Sequence, residues 1–83
     1  MAAADRFTLY SRPGCHLCEV LLQGLQAMPE AWARGVDVVD VDGDPVTRSR
    51  YGHKIPVLLL GRDLVCHGRL DPEEVRKALV ALR

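Results

Sequence analysis

Phe7-Thr8-Leu9-Tyr10 alternates strongly apolar side chains with more polar ones, which predicts a strand over 6–11 closed by Pro13-Gly14. Leu17, Val20, Leu21, Leu25 and Met28 then recur at helical spacing with Gly24 on the same face, so a helix is expected from near Cys15 to Met28. Gly24 would let a neighbouring element approach closely. Pro29 interrupts this run, and Trp32 is expected to cap the core from a short irregular or helical stretch before Gly35.

The stretch Val36-Asp37-Val38-Val39-Asp40-Val41 places valine on both faces, the composition of a strand buried on two sides. Strand, helix and strand in that order imply a right-handed crossover and parallel pairing. Asp44-Pro45 supplies a cap and a first-turn proline for a short helix reaching about Tyr51, with Gly52 as a left-handed stop. The apolar runs 56–60 and 64–67, separated by Gly61-Arg62-Asp63, require an antiparallel hairpin. The last segment opens with Asp71 as cap, Pro72 in the first turn, Glu74 to complete a capping box and Leu70 to staple onto Val75. Val75, Ala78, Leu79 and Leu82 form its apolar stripe. The order β-α-β-α-β-β-α predicts an α/β domain over 1–83: a four-stranded mixed sheet flanked by helices on both faces.

Composition narrows what such a domain does. With 83 residues and 48% hydrophobic content, one modest core is attainable without a disulfide framework. Lys and Arg balance Asp and Glu to a formal charge of zero, so no overall field favours nucleic acid or an anionic membrane. The longest apolar run, Val57 to Leu60, is too short to span a bilayer, and MAAADRF lacks the basic and apolar regions of a secretory signal. A soluble, cytoplasmic, monomeric protein is the expectation. Its three cysteines fall as one close pair and one distant single, a distribution suited to redox or metal chemistry rather than to structural staples.

That pair is Cys15 and Cys18, in Arg12-Pro13-Gly14-Cys15-His16-Leu17-Cys18. A separation of three at a helix start puts both sulfurs on one side of the first turn, close enough to join on oxidation. Free N-H groups and the positive end of the helix favour a thiolate on Cys15, each unit of pKa lowering representing ~1.4 kcal/mol. Cys15 is therefore expected to attack a substrate disulfide, and Cys18, one turn inward, to resolve the mixed disulfide.

The segments TLYSRPGCHLCE and KIPVLLL, with the hairpin and helix that follow, resemble the glutaredoxin-like branch of the thioredoxin superfamily, over about Phe7 to Leu82. The resemblance implies a thioredoxin-like fold and thiol-disulfide exchange with no bound cofactor. Glutathione would be a candidate co-substrate, and a disulfide-containing protein or a small thiol the partner. It implies that Ile55-Pro56 is a cis peptide facing the cysteines, with the Ile55 backbone pairing with an extended substrate. It also implies that Arg12, where the family usually carries lysine, lies near the thiolate and a substrate carboxylate.

Two departures shape the expected substrate site. His16 and Leu17 stand where glutaredoxins usually have Pro and Tyr, so an imidazole rather than a phenol would tune the thiolate. In place of the family's Gly-Gly turn stands Gly68-Arg69-Leu70 before Asp71, which leaves Arg69 as a possible anion contact. Arg48, Arg50, His53 and Lys54 form a further basic group before Pro56, best read as a solvated helix face. Cys66 reads as a small core residue. Two other classes stay open: a peptide-binding module with idle cysteines, and a metal or iron-sulfur site. Zinc would need Cys15, Cys18, Cys66 and His67 together, yet neighbouring strand residues point to opposite faces.

Overall fold

The computed structural model describes residues 5–82, so the outer ends of the expected domain, 1–4 and 83, lie outside the described residues. In β1 (Phe7–Ser11) the alternation takes effect: Phe7 and Leu9 are buried on one face, and Thr8 and Tyr10 are half-buried on the other. β1 pairs in parallel with β2 (Val36–Asp40) and antiparallel with β3 (Val57–Leu60), and β3 pairs antiparallel with β4 (Asp63–His67). The sheet order is β2-β1-β3-β4, the mixed sheet that the crossover and the hairpin require.

Register assembles the core. Phe7 lies opposite Leu60 and Leu9 opposite Leu58, and this four-residue apolar patch is covered by α1 (His16–Gln26), α2 (Pro29–Trp32) and α4 (Pro72–Ala81). Leu21, Leu25, Met28, Ala31 and Val75 supply the helical side. Each fully buried leucine or phenylalanine contributes about 1.5–3 kcal/mol relative to exposure. α3 (Pro45–Tyr51) lies against the opposite face, where the Tyr51 ring stacks on Tyr10 at 5.0 Å. Helices therefore flank both faces. Among the described residues no helix is long and apolar enough to cross a membrane.

Caps fall where the sequence puts them. Asp44 accepts from the Val46 N-H at 2.7 Å, and Asp71 accepts from the Glu74 N-H at 3.3 Å. The Glu74 side chain does not return the bond to close a capping box, because it receives the Lys77 ammonium at 3.2 Å instead. Gly24 provides the expected close approach: a Cβ there would stand 2.6 Å from Leu70 Cδ2.

Several expectations are corrected. Among the described residues β2 is a border strand, paired only with β1, and Val38 and Val39 are 55% and 38% exposed; of its valines only Val36 packs against the core, and Val41, just beyond the strand, is fully buried. Valine on both faces signals strand propensity as much as burial. On α1 the inward row is Cys18, Leu21 and Leu25, with Met28 buried just beyond the helix, while Leu17 and Val20 face solvent. Cys18 takes the first inward position. The helix stops at Gln26, with Ala27 as its cap. Trp32 lies on the outer side of α2 at 42% exposure, and the smaller Ala31 fills the core position instead. Gly52 is right-handed, with φ −56, so its glycine is not a left-handed stop; a Cβ there would stand 2.5 Å from the Arg48 carbonyl oxygen.

Candidate functional site

The loop between β1 and α1 builds the site. Gly14 takes φ 81, a left-handed conformation open to glycine, and the Cys15 N-H closes the turn on the Arg12 carbonyl at 3.0 Å. Cys15 is then the N-cap of α1, with extended backbone, and its Sγ accepts the Cys18 N-H at 3.2 Å. Sulfur thus occupies the place where Ser, Thr or Asp oxygen usually satisfies the first free donors of a helix. An anion at that position gains from the same donors and from the helix dipole.

Cys15 and Cys18 are joined as a disulfide, with Cα atoms 5.3 Å apart. Their surroundings differ. Cys15 is half-buried at the surface, whereas Cys18 is 2% exposed and continues into the core row of α1. A partner can reach one sulfur, and the other is reached from inside. His16 and Leu17, the two residues between them, are both exposed.

Arg12 is held by a partner within the chain. Its guanidinium is held as a fork by Asp42, Nε to Oδ2 at 2.6 Å and Nη2 to Oδ1 at 2.9 Å. Those hydrogen bonds hold the Asp42 carboxyl below its ordinary range, aided by the charges of Arg12 and Arg48, and raise the Arg12 pKa in turn. Arg12 therefore stands beside the cysteine turn already paired rather than as a free cation. Both partners are exposed, and such a solvated pair orients side chains more than it stabilises the fold.

Ser11, Arg12, Cys15, Glu19, Val38 and Asp40 line an open cleft of about 370 Å³ with the Pro13-Gly14 turn. Glu19, Val38, Asp40 and the Arg12 partner Asp42 were not singled out from the sequence. The usable signal lay in the parallel crossover: its register sets Ser11 beside Asp40, so the residues following both strands must meet. Without that register, Arg12 and Asp42 are separated by thirty positions.

The remaining expected site residues lie outside this lining. The Ile55-Pro56 peptide is cis, as the family resemblance implies, with Ile55 half-buried and Pro56 buried. The Gly68 N-H donates to the Pro56 carbonyl at 2.8 Å, which ties this bend to the turn that carries exposed Arg69. His16, Ile55, Pro56 and Arg69 are not part of the cleft lining. Arg48, Arg50, His53 and Lys54 are exposed, as a solvated face would be.

Cys66 is half-buried against the core, and burial pushes its thiol pKa up against a partly compensating backbone hydrogen bond from Asp71. Among the described residues no group of three His, Cys, Asp or Glu side chains could hold a metal ion, so the four zinc donors considered from the sequence do not converge.

A family model described as Glutaredoxin-like domain (DUF836) matches residues 6–80. The solution NMR structure of protein Ne2328 from Nitrosomonas europaea is similar at 26% identity and a TM-score of 0.80, covering 89% of each chain. The X-ray structure of target protein XcR50 from X. campestris is similar at 33% identity and a TM-score of 0.65, covering 90% of this chain and 96% of that one. No curated protein matches the chain.

Proposed function

The chain belongs to the Glutaredoxin-like domain family (DUF836) and has a thioredoxin-like fold, and from that premise we propose that it is a thiol-disulfide oxidoreductase. One observation carries this reading: Cys15 caps α1 with its sulfur 3.2 Å from the Cys18 N-H, and it is bonded to a partner sulfur that is itself in the core.

In the reduced protein, the Cys15 thiolate attacks one sulfur of a substrate disulfide. A Cys15-substrate S-S bond forms, the substrate S-S bond breaks, and the departing thiolate takes a proton from water. Cys18 then loses its proton and attacks Cys15 Sγ. The intramolecular disulfide closes, and the second substrate thiol leaves. Two electrons have passed from the protein dithiol to the substrate, and an external thiol reductant restores them. Placement of Cys18 in the core keeps it away from competing partners while leaving it one helical turn from its target. The cis Ile55-Pro56 bend, His16 and Arg69 are the proposed contacts for the substrate chain, which would be a protein or a small disulfide in a reducing compartment.

Cys15→Ser is expected to abolish disulfide reduction, and Cys18→Ser to retain the first step and accumulate a mixed disulfide visible as an added mass. Equal reduction rates in wild type and Cys15→Ser would leave the competing reading, a peptide-binding module with idle cysteines.

A further inference from the structure

Resting on the reading of Cys15 as the attacking thiol, we propose that the cleft beside it selects disulfides whose substituents are cationic or neutral over anionic ones, glutathione disulfide included. The charges around the cleft carry the inference. Among the described residues Arg12 is the one cation that lines it, and the carboxylate of Asp42 takes up its Nε and Nη2 groups. A guanidinium held in this way has its fork satisfied and its charge balanced, so it is poorly placed to receive a substrate carboxylate.

Glu19 and Asp40 also line the cleft and are exposed. Among the described residues the Asp40 side chain accepts only the Asp42 backbone N-H, at 2.9 Å, and its charge acts on Arg12 along with that of Asp42. Arg12 is offset by Asp42, which also feels the charge of Arg48, whereas the carboxylates of Glu19 and Asp40 have no salt-bridge partner among the described residues and share the cleft with Cys15. Val38, 55% exposed on the border strand, provides an apolar wall against which an aliphatic stem can lie. His16 is neighbouring and exposed, and neither Arg69, a proposed contact for the substrate chain, nor the basic residues Arg48, Arg50, His53 and Lys54 line the cleft.

The test uses reduced full-length protein at neutral pH and three small disulfides: cystamine, a dication; 2-hydroxyethyl disulfide, neutral; and 3,3'-dithiodipropionate, a dianion. Each second-order rate constant is divided by that of 2-mercaptoethanol with the same disulfide, which removes differences in leaving-group chemistry. The normalised cystamine rate should exceed the dithiodipropionate rate by roughly three- to tenfold at low ionic strength, where charges act over about 30 Å, and the ratio should approach one in about 1 M salt. Glu19→Gln should lower the ratio by removing a carboxylate, and Asp42→Asn should lower it by releasing Arg12. A wild-type ratio of one or below, with measurable turnover of the neutral disulfide, overturns the proposal and leaves the oxidoreductase reading standing. A salt-sensitive ratio that neither variant changes also overturns it, because the selectivity would then arise elsewhere. Failure to react with all three disulfides while the thiols remain free and titratable overturns the oxidoreductase reading, and this proposal with it.

Discussion

Gly35 has one of the most constrained backbone positions in the chain. Its φ of 90 lies in the region where L side chains are strained, and a Cβ there would run into the Arg6 guanidinium, which is itself held by Asp37 at 3.1 and 3.0 Å. Gly35→Ala should therefore lose about 1–3 kcal/mol of unfolding free energy, read from urea melts. Asp37 and Asp42 both titrate below the ordinary 3.8 because each accepts an arginine fork. A depressed carboxyl stabilises the folded chain above that value and loses the contribution as pH falls through the folded pKa. The difference in urea midpoint between wild type and an Asp37→Asn, Asp42→Asn double variant should thus be present at neutral pH and vanish well below pH 3.8. A difference that persists in acid would mean that these pairs act by packing. Cys66 offers an internal control for the site: with all thiols reduced, iodoacetamide near neutral pH should modify Cys15 faster, because burial raises the Cys66 pKa.

Among the elements, α1 and the loop before α4 meet where Gly24 faces Leu70. Alanine at position 24 gains about 1 kcal/mol of helix propensity but must displace the Leu70 methyl. Gly24→Ala should stabilise a Leu70→Ala background by about that amount and the wild type by less; identical effects in both would show that the two residues do not press on each other. The same helix shows what could be read from the chain. Its existence, its start at Cys15 and its inward Leu21 and Leu25 were legible, because periodicity and a Pro-Gly turn are local signals. The burial of Cys18 was expected from its resolving role, but the outward turn of Leu17 and Val20 was not, since a small rotation of the stripe depends on how the helix docks. β2 was legible as a strand and not as a border, because neighbour order belongs to the sheet and leaves no mark on six residues. α4 was read nearly whole from Asp71-Pro72 and its stripe. The cysteine pair followed from the residues and the cis Ile55-Pro56 peptide from family resemblance, whereas the Asp42 clasp on Arg12 depends on parallel register across thirty positions.

At the scale of the molecule, the disulfide spans only four residues, so its loop-closure contribution to stability is about 2 kcal/mol at most. The fold instead rests on the layer of Phe7, Leu9, Leu21, Leu25, Leu58 and Val75, all buried to within 1%. Reduction should leave far-ultraviolet circular dichroism unchanged and lower unfolding free energy by no more than that amount, whereas Leu25→Ala should cost about 2–5 kcal/mol. A chain that unfolds on reduction would contradict an exchangeable role for the bond, because the reduced form must persist as a working state. The outward placement of Trp32 has an optical consequence for these measurements. The chain has only this one indole, already in contact with water when native, so its emission colour should shift little on unfolding. The stacked phenols of Tyr10 and Tyr51 join two elements and part when the fold is lost, which makes near-ultraviolet dichroism the more faithful reporter.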